Sequence, residues 1–422
     1  MKPMAISKCG KGALLCLSIF ASLAALPCWA QTQLSVEEAV RKALDSRASL
    51  KAEAERITGA RGLKEQAGLL PNPEFQFSNE NLRPGQTYTK DVDTYAFFVH
   101  PLDVLGKRRQ RIAVAEGGVN RSQAEYELAR LQVAQRVKLA YWAARGAQGT
   151  RDLLKASVKN FQAIVDYHSA RLSQGMLSEQ DFLRVRLESE RLQIAANLAA
   201  IEATRARVQL LREMGQTDFA EIVLTDPLDS NGAPPGVIEI PEVLARRIEM
   251  RVATAAVEEA KAKAEFEDVS ARPDLNLIYG YKRTQLPDSP TTGTNSAMAG
   301  LQITLPVTNR NQGNRAAAAA ELRRQQLLLA ATEAEVRADY FSALQEYQLR
   351  SGEVVTTLEP LRQHAKNIAE IAQGAYVQGG TDLLRLLDAQ RVRLDAELAY
   401  VQGMVAYQQS IANLQAAEGA NP

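Results

Sequence analysis

The sequence predicts a mainly α-helical chain with a small membrane-spanning β part, written as two structural repeats. Three observations predict it. Landmarks recur in the same order roughly 200 residues apart, the mark of a duplicated unit. Four runs of about ten residues alternate apolar and polar, the length at which a tilted strand crosses a bilayer. The stretches that follow them read as helices far longer than globular ones, rich in Ala, Leu and Val among Glu, Arg and Gln.

Residues 1–30 are set aside as a secretory leader. Lys2, Lys8 and Lys11 precede GALLCLSIFASLAAL, which closes on PCWA before Gln31, so cleavage is expected after Ala30. Of the 50 Lys+Arg, those three leave with the leader. The exported chain then carries 47 against 49 Asp+Glu, a net charge of −2 that offers nucleic acid no bulk attraction. Cys9, Cys16 and Cys28 also lie in the leader, so the exported chain has no thiol, disulfide or cysteine ligand. Pro27 before Cys28 is a poor match to a lipidation site. Past the leader no run of about 18 apolar residues occurs, so any membrane passage must be made by strands.

The first repeat spans 31–214, with a helix near 35–70, strands near 73–81 and 93–101 around a polar loop, and helices near 106–173 and 178–215. A Pro-, Gly- and Asp-rich connection covers 215–239. The second repeat spans 240–417, with a helix near 240–271, strands near 273–283 and 296–306, and helices near 312–378 and 381–417. A short tail, 418–422, follows. PLDVLGKRRQRIAVAE (101–116) faces LPVTNRNQGNRAAAAAE (305–321), with Pro101 and Glu116 each 205 residues before Pro306 and Glu321. Pro360 predicts a kink in the long second-repeat helix.

The strands rest on alternation. Leu275, Leu277, Tyr279 and Tyr281 oppose Asn276, Gly280 and Lys282, and Ala297, Ala299, Leu301, Ile303 and Leu305 oppose Ser296, Gly300 and Gln302. Phase in the first repeat is read from Tyr95, Phe97 and Val99, and more weakly from Phe75 and Phe77. The lipid-facing set is thus expected to be Phe75, Phe77, Tyr95, Phe97, Leu277, Tyr279, Leu301 and Ile303. Four strands leave two open edges, whose unpaired backbone groups hydrocarbon does not tolerate. Other copies must close the sheet, two giving eight strands and three giving twelve with room for a passage.

AGLLPNPEF, PLDVLGKRR, LPVTNRNQG and LLDAQR together resemble the TolC-type outer-membrane factors, and the first three their heavy-metal efflux (CzcC-like) branch. The resemblance covers nearly the whole exported chain. It implies a TolC-like fold: a homotrimer whose twelve-stranded barrel sits in outer-membrane lipid and continues as a periplasmic α-barrel. It also implies a periplasmic adaptor and an inner-membrane RND-type, proton-driven pump as partners, with this chain a passive conduit for metal cations of the Co/Zn/Cd, Ni or Cu/Ag type. Drug efflux or type I protein secretion is the alternative within the class. A periplasmic coiled-coil adaptor is the alternative outside it, and two strand pairs between helices argue against that.

The resemblance further implies a periplasmic gate at the turns SQGMLSEQDF and YVQGGTDLLRLLDAQR. Asp388 falls on the aspartate that lines the closed aperture, Asp181 on a tethering aspartate and Tyr376 on a tyrosine that bonds it. Thr381 stands where well-studied members are often basic, and Arg385 is placed to pair with Asp382 or Asp388. Such charges also serve as ordinary solvated helix ends. The basic cluster Lys107, Arg108, Arg109 and Arg111 follows a strand end, so it reads as a membrane-interface cluster or as a plain helix start. It is no phosphate loop, since Pro101 replaces the first Gly and Arg108 the Ser or Thr. His100, His168 and His364 stand at no metal-binding spacing, so no metal site or cofactor is expected. No nucleophile-base motif or paired catalytic carboxylate points to an enzyme.

Overall fold

The computed structural model describes residues 32–82, 84, 92–229, 236–285 and 293–420. The leader with Cys28, most of both interstrand loops, residues 230–235 of the connection and the last two residues lie outside the described residues. The chain begins with β1 (Thr32–Leu34), then α1 (Val36–Ser46) and α2 (Ala48–Gly68). The hairpin β2 (Glu74–Glu80) and β3 (Asp93–Leu102) leads into α3 (Lys107–Ser173), which turns back as α4 (Glu179–Glu213). After β4 (Ile222–Leu224) the order repeats as α5 (Ile240–Arg246), α6 (Ile248–Ser270), β5 (Asp274–Gln285) and β6 (Gly293–Thr304). It ends with α7 (Gln312–Glu353), α8 (Glu359–Val377) and α9 (Leu383–Ala417). At about 1.5 Å per residue, the 67 residues of α3 extend roughly 100 Å.

Three features depart from the expected elements. Each repeat's opening helix is broken by an arginine in extended conformation, Arg47 (ψ 119°) and Arg247 (ψ 126°). The Arg47 guanidinium reaches the Glu213 carbonyl at the end of α4, and Arg247 reaches the Ala417 carbonyl at the end of α9 (3.2 Å). Both fasten the C-terminus of the returning helix, whose last carbonyls lack partners within the helix. Second, the connection contributes β4, which pairs in parallel with β1. Third, where a kink is expected at Pro360, the long helix is interrupted by a π-helical segment at Val354–Leu358 just before it. Proline lacks the N–H and its ring crowds the carbonyl four residues back, so the preceding turn widens. Gly403 of α9 admits this bulge, because a Cβ there would overlap Leu358.

Two apolar cores sit where the repeats meet their connections. One gathers Leu34, Val40, Leu50, Val137, Tyr141, Leu210 and Leu224, the other Val243, Val336, Tyr340, Met404, Tyr407 and Leu414. Each holds a tyrosine that ties loop backbone. The Tyr141 hydroxyl donates to the Leu34 carbonyl (3.0 Å) and accepts from Asp226 N–H (3.2 Å), while Tyr340 bonds both backbone groups of Ile238. Burial pushes the Tyr141 hydroxyl above the ordinary tyrosine range, which keeps it a donor.

Candidate functional site: the strand sheet and the helix-hairpin tips

The strands form one antiparallel sheet in the order β2-β3-β5-β6, so β2 and β6 are open edges. Register decides the faces. Phe75 opposes Phe98, Phe98 opposes Tyr279, Leu277 opposes Leu301 and Leu275 opposes Ile303. Phe75, Phe77, Leu277, Tyr279, Leu301 and Ile303 therefore share a face, with Phe98 and Tyr281 beside them, and all eight are exposed in the protomer. Rings run across it, Phe75 to Phe98 at 5.2 Å and Phe98 to Tyr279 at 5.7 Å. Tyr95 and Phe97 do not belong to this set, because they oppose Lys282 and Gly280 on the other face. The error is one residue of phase: Phe97 and Phe98 are adjacent, and choosing the wrong one flips every side chain of β3. Phe97 instead lies over Gly280, where an added side chain would collide with it.

The strand-to-helix junctions explain the twinned motifs. Gly106 (φ 84°) and Asn311 (φ 58°) cap α3 and α7 in the left-handed region, which Gly adopts freely and Asn tolerates. The Asn311 amide donates to the Glu267 carbonyl (2.9 Å) and carboxylate (2.7 Å) at the end of α6, and Asn309 accepts from the Asn311 N–H (3.0 Å). Arg310 N–H donates to Gln312 (2.8 Å). The Asn-Arg-Asn-Gln spelling is thus spent on the turn and the helix end beneath it. In the first repeat the basic cluster does this work. Arg108 donates to the Gly68 carbonyl (2.6 Å), Arg111 to those of Ala67 and Leu69 (2.9 and 3.1 Å), and Lys107 pairs with Asp274 (2.7 Å). Two of the four therefore close the end of α2 and a third pairs with β5, while among the described residues Arg109 makes no such bond.

At the far end the hairpins turn through Gln174–Ser178 and Gln378–Asp382. Gly175 (φ 70°) and Gly379 (φ 76°) make matching helix stops, with Met176 N–H bonded to the Arg171 carbonyl (2.9 Å) and Gly380 N–H to that of Ala375 (2.8 Å). Ser178 and Asp382 then cap the return helices, accepting from Asp181 N–H (3.1 Å) and Arg385 N–H (2.9 Å). Asp181 itself accepts from the Ser178 hydroxyl (2.8 Å) and stands 3.8 Å from Arg184. No ion pair joins the Arg385 guanidinium to Asp382 or Asp388 among the described residues. Asp388 is exposed and carries no recorded bond, on the side of α9 away from buried Leu386 and Ala389.

Tyr376 differs from expectation. Its hydroxyl bonds His168 Nε2 (2.7 Å) rather than Asp181. His168 is 1% exposed, and its Nδ1 meets the Ile164 carbonyl at 2.7 Å. Burial raises the Tyr376 hydroxyl above the ordinary range, Arg171 opposing that and Asp181 adding to it. The pair forms part of the lining of a groove of about 670 Å³ between the hairpins, with Phe161, Ile164 and Leu386. Nothing in the sequence flagged this pair, since the two residues are 208 apart and a lone histidine is usually packing.

Comparison with known proteins agrees with this geometry. The model of the family described as outer membrane efflux protein matches residues 39–216 and 240–420, one segment per repeat. The cobalt-zinc-cadmium resistance protein CzcC of Cupriavidus metallidurans is 25% identical over 375 residues, covering 87% of this chain and 86% of that protein. The open state of the Neisseria gonorrhoeae MtrE outer membrane channel superposes with a TM-score of 0.76 at 21% identity, over 92% of this chain and 89% of that one. CusC, described with transmembrane channel formation, gives 0.75 at 16% identity over 91% and 92%. The fold is TolC-like.

Proposed function

Because the chain belongs to the outer membrane efflux protein family, we propose that it is the outer-membrane channel subunit of a tripartite, proton-driven system that exports heavy-metal cations. The protein acts as a passive conduit, with its helical part in the periplasm meeting an adaptor and an RND-type pump. The observation that carries the cargo is the similarity to a cobalt-zinc-cadmium resistance protein along nearly the whole of both chains. In this reading cation choice belongs to the pump and adaptor. Deleting the gene and measuring growth on Co, Zn, Cd, Ni, Cu and Ag salts against a panel of antibiotics tests the reading. Metal sensitivity is expected, and sensitivity to antibiotics alone contradicts it.

Three copies complete the molecule. The open edges of β2 and β6 require partners in lipid. The helices also leave apolar stripes uncovered, Leu183, Leu187, Ile194, Leu198 and Ile201 along α4 and Leu361, Ile368 and Ile371 along α8. Spaced at three, four and seven residues, each stripe lies on one helix face, as a helix-helix seam requires. The hairpin tips form the periplasmic gate, where three Asp388 carboxylates surround the axis and attract cations. Asp388→Ala is expected to raise conductance or lower cation preference in a planar bilayer, and unchanged currents count against the gate.

A further inference from the structure

The His168–Tyr376 bond joins the two hairpins beyond residue 150, where Arg171 of the first hairpin also acts on the Tyr376 hydroxyl. No ion pair crosses there among the described residues, the bridges of that region lying within one hairpin, as Arg362 with Glu397 does. The imidazole and phenol rings stack at 5.7 Å, and Tyr167 meets the imidazole edge-on at 5.2 Å. Polarity fixes the direction of the bonds. The Ile164 carbonyl can only accept, so Nδ1 carries the proton of the neutral ring and Nε2 presents its lone pair to the Tyr376 hydroxyl.

A second proton removes that lone pair. Both ring nitrogens then donate, and the Tyr376 hydroxyl has to accept while turning its own proton elsewhere. Of the charged groups acting on that hydroxyl, Arg171 is a donor only, and the Asp181 carboxylate accepts from the Ser178 hydroxyl with no bond to Tyr376. The charged groups around the pair are of both signs. Glu188 of α4 and Glu370 of α8 line the groove, against Lys366 of α8 and Arg391 and Arg393 of α9, with Arg171 on α3 itself. A buried imidazolium there has no carboxylate bonded to it.

We propose that His168 is the positioning residue of the closed periplasmic end: as a neutral imidazole it latches the first hairpin to the second through Tyr376, and acid releases the latch. This rests on the hairpin tips being the gate. The test uses the full-length exported protein in planar bilayers at about pH 8 and about pH 5.5, a window in which imidazoles titrate and ordinary carboxylates stay ionised. Wild type is expected to show a roughly fivefold rise in the open-to-closed ratio on acidification, the factor set by one hydrogen bond. Tyr376→Phe, which keeps the ring and its stacking, is expected to be open to that extent already at the higher pH and to respond little to acid. His168→Gln, which keeps an acceptor but cannot titrate, is expected to stay closed at both. A Tyr376→Phe channel that is closed at the higher pH and still opens in acid overturns the latch. Asp388→Ala separates the two ideas: if it alters cation preference while Tyr376→Phe is silent, the gate stands and the latch falls. If Tyr376→Phe opens the channel while Asp388→Ala is silent, the latch stands and the acidic ring falls.

Discussion

Asn311 shows how much one residue carries at a strand-to-helix junction. It holds a left-handed backbone and bonds both the carbonyl and the carboxylate of Glu267, and Lys263 and Asn311 together hold that carboxyl below the usual range. Asn311→Ala removes the amide and puts a less tolerant residue at φ 58°, so a loss of about 1–2 kcal/mol is expected in denaturant unfolding. Arg247 is a comparable case, with its guanidinium on Glu249 (2.8 Å) and on the end of α9. Arg247→Ala leaves those groups unpaired and is expected to cost about 2–3 kcal/mol by the same measurement. The junction turn was legible in the sequence, because Gly or Asn after a proline-ended strand announces it. The arginine clamps were not, since an arginine that stops a helix by its own backbone angle looks like any solvated charge. The His168–Tyr376 pair was hidden for another reason, that only the packed hairpins bring it together.

At the scale of the element, the sheet and the long helices were readable from period, and their phase and breaks were not. Alternation identified each strand, yet β3 carries apolar residues on both faces, so Tyr95, Phe97 and Val99 alternate as convincingly as Ala96 and Phe98. Only register against β2 and β5 decides between them. The resulting faces are testable with single tryptophans in vesicles containing brominated lipid. Phe98→Trp is expected to be quenched strongly and Phe97→Trp weakly, and the reverse order contradicts the assigned lipid face. In the helices, glycine marks close approach: a Cβ on Gly146 would overlap Val405, as one on Gly403 would overlap Leu358. Gly146→Ala and Gly403→Ala are each expected to lower stability by about 1–3 kcal/mol, read as a fall in the temperature at which the oligomer dissociates on a gel.

For the whole molecule, duplication explains why two cores, two clamps and two tip turns recur, and why the sheet holds only four strands. Each copy supplies a β2 edge and a β6 edge, so a ring closes only when the β2 of one copy meets the β6 of the next. All three cysteines lie within residues 1–30, so pairs introduced in the strands are unambiguous. The measurement that tests this most directly places one cysteine at Ser78 on β2 and a second in turn at Met298, Gly300 and Gln302 on β6, all on the face opposite Phe98. After oxidation in outer-membrane fractions, the account predicts that at least one pair yields a covalent trimer on a denaturing gel. A ladder that stops at the dimer, the eight-strand closure, contradicts it.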